Sequence, residues 1–158
     1  MIGSNSASPD ASPELGPVEA AAISLGLKLA MYYAATPKEI DDAFTNMVER
    51  KPDAILVGTD SFLLSRRDDI VAWTFRLKVP VIYPFRDFAE AGGLMSYGTN
   101  IPATFRQAGI YVGRILKGDK PGDLPVMQPS VFELVIKSKP PRPSGSIFPL
   151  RSMPSPMM

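Results

Sequence analysis

The sequence predicts an α/β protein with a largely parallel sheet flanked by helices, and three observations carry that expectation. Short apolar runs rich in β-branched residues alternate with longer stretches of helical apolar spacing, the pattern of repeated βαβ units. The run at residues 54–57, Ala-Ile-Leu-Val, is continuously apolar, as in a strand covered on both faces. Thr36-Pro37-Lys38-Glu39 reads as a capping box, in which the threonine hydroxyl and the glutamate carboxylate satisfy each other's free amides at a helix start.

Taken in order, Ile2 reads as the end of a strand and residues 4–9 as a polar, turn-rich loop. Ser12-Pro13-Glu14 opens a helix: Ser12 can cap, Pro13 suits the first helical position, and Glu14 faces the positive end of the dipole. Its inner face is expected to be Val18, Ala21, Ala22 and Leu25, with Gly26 as its end and a strand over 27–33. The helix begun at Thr36 repeats Ile40, Phe44, Met47 and Val48 at helical spacing and is broken by Lys51-Pro52-Asp53. After the strand at 54–57, Asp60 or Ser61 caps a helix with Leu63, Ile70, Trp73 and Leu77 inward and Arg66, Arg67, Asp68 and Asp69 toward solvent. Strands follow at 79–82 and 94–97, separated by the turn Ala91-Gly92-Gly93 and closed by Gly98. A helix over 102–116 turns Phe105, Ala108, Val112 and Ile115 inward and stops at Gly118. Beyond the proline-spaced connection at 121–129, residues 132–136 alternate like a returning strand.

Composition removes several chemistries. With 158 residues and 45% apolar content the chain can bury one ordinary core. A net charge of +1 argues for neither nucleic acid nor an acidic partner. That charge is uneven, because Lys137, Lys139, Arg142 and Arg151 stand in an acid-free tail and the body before it is mildly acidic. Cys 0 excludes disulfides and thiolate nucleophiles, and His 0 removes the commonest general base and metal ligand. No metal constellation and no dinucleotide fingerprint stands out, so no cofactor is expected. Residues 1–10 lack the start of a signal peptide, and no run reaches transmembrane length, so no direct membrane insertion is expected.

Ligands in open parallel sheets bind beyond the carboxyl ends of the strands, which selects three stretches. Thr59, Asp60 and Ser61 end one strand and start a helix, where hydroxyls, a carboxylate and free amides could hold a polar ligand group; helix capping accounts for them as well. Asp60 is the acid best suited to an ammonium group. Tyr83, Phe85 and Arg86 follow the next strand, an aromatic wall with a guanidinium that suits an amino acid or small organic anion, against the plainer account of core aromatics and a solvated arginine. Tyr97 and Gly98 end the third strand, where glycine either admits a close backbone approach or merely turns the chain. Ser4 and Asn5 would lie on a first-strand loop facing the same side. Asp68 and Asp69 are neighbours on a helix and point apart, so they form no acid/base pair.

At GTDSF (58–62), FRDFAEAGGLMSYGT (85–99), RQAGIYVGRILKGDKPGDLPVMQP (106–129) and FELVI (132–136), the chain resembles substrate-binding components of ABC transporters. The resemblance is to the tryptophan/tyrosine-type group with a type I periplasmic-binding-protein fold. It implies two α/β lobes, joined by three crossing segments, that close on a small ligand, with a permease and an ATPase as partners and a periplasmic location for the full-length protein. This chain, without a signal peptide, would then stay cytoplasmic if expressed as given. Only the carboxyl-terminal half is matched. Residues 1–136 would be the second lobe with a crossover helix and returning strand, and the apolar face of 100–116 would reach for a lobe the chain does not contain. After Ile136 the pattern is lost where the family continues with a helix of the type KTAKALGL. A one-base frame displacement would explain this, which makes residues 137–158 a non-native tail, expected to be disordered. The resemblance implies a non-enzymatic, small-molecule-binding fragment that holds its ligand weakly. The alternatives are a ligand-sensing effector domain of a transcriptional regulator or sensor kinase, and a small flavodoxin-like enzyme.

Overall fold

The capping signal at Thr36 forms in a modified way. Thr36 Oγ1 accepts the Glu39 N–H at 3.2 Å, but the Glu39 carboxylate takes the amide of Ala35, at 2.7 Å, and not that of Thr36. The helix so started runs Pro37–Arg50 and buries Ile40, Ala43, Phe44 and Met47. Val48, expected inward, is exposed, and Ala43 takes the fourth inner position. The computed structural model describes residues 1–3 and 14–137. In chain order the elements are β1 (Ile2–Gly3), α1 (Leu15–Ser24), β2 (Tyr32–Tyr33), α2 (Pro37–Arg50), β3 (Ile55–Leu56), α3 (Ser61–Ser65) and α4 (Arg67–Leu77). They continue with β4 (Val81–Tyr83), α5 (Arg86–Glu90), β5 (Met95–Thr99), α6 (Ile101–Leu116) and β6 (Phe132–Ile136).

The strands lie in the order β2-β1-β3-β4-β5-β6. β1 and β2 are paired in parallel, and so are β3 with β4 and β4 with β5. A parallel bridge between Ile2 and Val57, with the Gly58 N–H donating to the Ile2 carbonyl at 2.8 Å, joins the two sets. Among the described strands only β6 is antiparallel, with Tyr97 opposite Leu134 and Gly98 opposite Glu133. The sheet is therefore largely parallel and flanked by helices, as the sequence predicts.

The two faces of this sheet differ. Ile55, Val57, Val81, Tyr83 and Ser96 alternate onto one face and are buried with Phe44, Leu63, Ile70 and Phe88 from the helices. Leu56, Ile82 and Met95 turn to the other face and are only half-buried, and Phe132, Leu134 and Ile136 on β6 are exposed there. The expectation that residues 54–57 are covered on both faces is thus corrected: β3 is packed on one side. A continuous apolar run carries no period from which the barer side could be read.

Four further expectations change. Of the inner face predicted for α1 only Ala22 is buried, while Ile23, Leu25 and Leu27 are exposed. Ser12 and Pro13 lie outside the described residues. The strand expected over 27–33 shrinks to Tyr32–Tyr33. The helix expected from Ser61 to Leu77 is two helices broken at Arg66, where the Ser65 hydroxyl donates to the Phe62 carbonyl at 2.6 Å and competes with the backbone ladder. No helix is expected between the strands at 79–82 and 94–97, yet residues 86–90 form α5, which is too short to show a helical period. The proposed non-native tail falls on residues of which only Lys137 is described.

At α6 the structure agrees with the expected orphaned face. Asn100 caps it, accepting the Ala103 N–H at 2.8 Å, yet no residue of the helix is buried. Phe105, Ile110, Val112 and Leu116 are exposed.

Candidate functional site

The strand order decides where a crevice can form. From β1 the chain moves outward to β2, returns across β1 to β3, and then proceeds the other way through β4 and β5. Connections leaving β1 and β3 therefore diverge, and the carboxyl ends of these two strands flank the switch point at which open α/β sheets bind ligands. Gly3 and Gly58 stand at those ends. Around them is a small depression of about 20 Å³ lined by Met1, Gly3, Glu14, Met31, Tyr33, Gly58 and Thr59. The Thr59 N–H points into it and donates to Glu14 Oε2 at 3.1 Å.

Asp60, beside this depression, is committed to its own helix. Its Oδ1 accepts the Leu63 N–H at 2.9 Å as the N-cap of α3, which is the capping account of this residue. Ser61 is the first residue of α3 and is exposed, as is Thr59. The parallel strand order puts the Thr59–Ser61 segment next to the end of β4, so two of the three predicted stretches share one edge of the sheet.

At the end of β4 the three predicted residues separate. Tyr83 is a core residue, about as fully buried as Phe44; its ring stacks on Phe88 at 4.8 Å and its hydroxyl lies 2.7 Å from Thr74 Oγ1. Burial pushes its pKa up to about 12. The aromatic wall expected at Tyr83 is therefore a wall of the core. Phe85 occupies the N-cap position of α5 and is half-buried against the same core. Arg86 is exposed and doubly paired: Nε donates to Glu90 Oε1 at 2.8 Å and Nη1 to Glu133 Oε2 at 3.2 Å. The Glu90 hydrogen bond first, and then that of Glu133, raises the guanidinium pKa further. These bonds use two of the five guanidinium donors, and the remaining N–H groups could take a carboxylate.

Tyr97 and Gly98 do not join this group in the expected way. Tyr97 lies on the barer face of the sheet, stacked on Phe132 at 6.1 Å, whereas Glu133, the partner of Arg86, projects from the opposite face of β6. Gly98 is on the Glu133 side, where the Pro84 carbonyl fills the space a side chain would need. Ser4 and Asn5 lie outside the described residues.

Two features were missed in the sequence. Glu14 reads there only as a first-turn acid facing a helix dipole. The clue to its place in the crevice is that it opens the first connection after β1, and this matters only once the strand order is known. Glu133 gives no signal at all, since an acid at alternate spacing in a returning strand reads as a solvated position.

An open, largely parallel sheet with its crevice between the first and third strands is the form of α/β lobe in which ligands bind at the strand ends. The chain belongs to the family of ABC transporter substrate binding proteins, whose model matches residues 4–142 and so reaches past Ile136. Among solved structures it is similar to a conserved domain protein from Vibrio cholerae, with 26% identity and a TM-score of 0.73 over 85% of this chain and 46% of that one. It is also similar to the ABC domain in complex with L-Trp from Streptococcus pneumoniae, with 28% identity, a TM-score of 0.72 and the same shares of 85% and 46%. A ligand-free, open substrate binding protein with adhesive properties from Clostridium difficile shares the fold, at 22% identity and a TM-score of 0.61 over 87% of this chain and 47% of that one. The chain thus spans about half the length of the structures it matches. A comparison with curated proteins finds no match.

Proposed function

We propose that the chain is the second lobe of a solute-binding component of an ABC transporter and offers one wall of a small-molecule site at the carboxyl ends of β1, β3 and β4. The observation that carries this reading is the switch point between β1 and β3, where backbone at Gly3 and Gly58 and polar groups at Thr59 and Ser61 meet. Family membership supports solute binding over catalysis. In the whole protein, periplasmic by family, a first lobe would supply the opposing wall, closure would follow from contacts made only in the closed state, and a permease driven by its ATPase would take up the solute.

The complex with L-Trp in the Streptococcus pneumoniae relative makes amino acids the first solutes to test. One wall buries only part of a ligand, so binding to this chain alone is weak. Backbone amide shift mapping with a panel of the common amino acids and small organic acids tests the reading. Millimolar binders should move the amides of Gly58–Ser61 and 85–86 together. A panel that moves none of them, or nanomolar calorimetric binding by the chain alone, overturns the half-site.

A further inference from the structure

The crevice between β1 and β3 holds a carboxylate of its own. Glu14 precedes α1 but makes no side-chain capping bond to it. Its Oε2 reaches instead to the Thr59 N–H, which fixes the acid across the crevice from the end of β3. A carboxylate offers about four acceptor sites, of which that amide uses one. Among the described residues Glu14 makes no other hydrogen bond and no ion pair. The lining brings it no lysine or arginine: the side chains of Met1, Gly3, Met31, Tyr33, Gly58 and Thr59 are all uncharged. The free space of about 20 Å³ admits a group the size of one water or one ammonium and no ring.

We propose that Glu14 is the acceptor for the ammonium group of an amine-bearing solute, with the Thr59 amide holding the carboxylate in place. Each acid accepts one backbone N–H, Asp60 from Leu63 as the cap of α3 and Glu14 from Thr59, but of the two only Glu14 lines the depression at the switch point. A carboxylate there favours ammonium and repels an anionic head group. The solute class is therefore a primary amine or a zwitterion that enters ammonium first. This assignment rests on the reading of the chain as a solute-binding lobe.

Three probes sharing one ring system separate the possibilities: L-tryptophan, tryptamine, which lacks the carboxylate, and indole-3-propionate, which lacks the ammonium. They are titrated into the ¹⁵N-labelled full chain, and the Gly58 and Thr59 amides are followed. Tryptophan and tryptamine should shift both amides and indole-3-propionate neither. Glu14→Gln should weaken the two amines at least tenfold, and Glu14→Asp, which keeps the charge but shortens the reach, should weaken them less. An unchanged spectrum elsewhere confirms that each variant is folded. Equal shifts from indole-3-propionate, or titrations unaffected by Glu14→Gln, overturn the assignment. Shifts confined to Phe85 and Arg86 leave the solute-binding reading standing and remove Glu14 from it. No shift from any probe removes Glu14 as well, and the solute-binding reading falls with it only if the wider panel also fails.

Discussion

The carbonyl oxygen of Pro84 sits where the side chain of residue 98 would be, so a Cβ added at Gly98 would collide with it. The obstacle is backbone, held between β4 and α5, and it has no rotamer by which to yield. Gly98→Ala should therefore behave as an overpacking change and lower stability by roughly 3 kcal/mol, near the upper end of the usual range. Urea unfolding should show a reduced midpoint with an unchanged slope. An unshifted midpoint would mean that the end of β5 moves away from Pro84 at no cost.

Tyr83 should make the protein alkali-sensitive. Thr74 Oγ1 donates its one proton to the Val71 carbonyl at 2.9 Å, so the Tyr83 hydroxyl is the donor in the bond between them. The phenol is buried and titrates at about 12, above its value in the unfolded chain near 10. Between these values the unfolded state releases the proton first and binds fewer protons than the native state, so stability falls as pH rises. The contribution is complete below about pH 10 and is lost by about pH 12, on the order of 3 kcal/mol. Tyr83→Phe should cost about 1 kcal/mol at neutral pH for the lost hydrogen bond. It should also unfold with a visibly flatter pH dependence between pH 10 and 12. Parallel curves for the two proteins would contradict the donor assignment and the burial together.

Two phenylalanines at helical inner positions should respond oppositely. Phe44 is 0% exposed and stacks on Trp73 at 5.8 Å, while Phe105 is 73% exposed on α6. Phe44→Ala should cost about 4 kcal/mol through lost transfer energy and a cavity. Phe105→Ala should stay within about 0.5 kcal/mol. Comparable losses in urea melts would show that α6 packs on something in solution.

That contrast also marks what the sequence can and cannot reveal. Phe44 and Phe105 sit in equally good amphipathic patterns, because periodicity reports which face of a helix is apolar and not whether anything covers it. Most of the strand and helix order was legible, since turn residues and capping signals punctuate it at Thr36 and Asp60, but α5 between β4 and β5 was not, being too short to show a period. The site was legible only as a set of strand ends. Side-chain direction at Tyr83 depends on register within the strand, and a slip of one residue exchanges a core ring for a cleft ring. The spacing of Arg86 and Tyr97 could not reveal that they lie on opposite faces of the β5–β6 ribbon, because that follows from pairing with a strand far along the chain. Glu14 needed more still, since its neighbour Thr59 is distant in sequence and is brought close only by β1 lying beside β3.

The start of α6 should be a local weak point governed by one side chain. Asn100 Oδ1 accepts the Ala103 N–H at 2.8 Å, and its Nδ2 donates to Glu133 Oε2 at 3.3 Å, the oxygen that Arg86 also reaches. The chain leaves β5 here, directly beside its return into β6, with the Asn100 N–H bonded to the Val131 carbonyl at 2.9 Å. Because no residue of α6 is buried, loss of the cap has no packing to offset it and little core to disturb. Asn100→Ala should then cost about 1 kcal/mol in the first turn of α6. By amide hydrogen exchange this is roughly fivefold faster exchange over 101–104, while the exchange of core strands and the urea midpoint stay nearly unchanged. Asn100→Asp keeps the cap acceptor but sets two carboxylates together at Glu133, so it should restore slow exchange only at low pH, where a carboxyl is protonated. Exchange that is uniform along α6 in every variant would show that the helix opens as one unit and that Asn100 does not control its start.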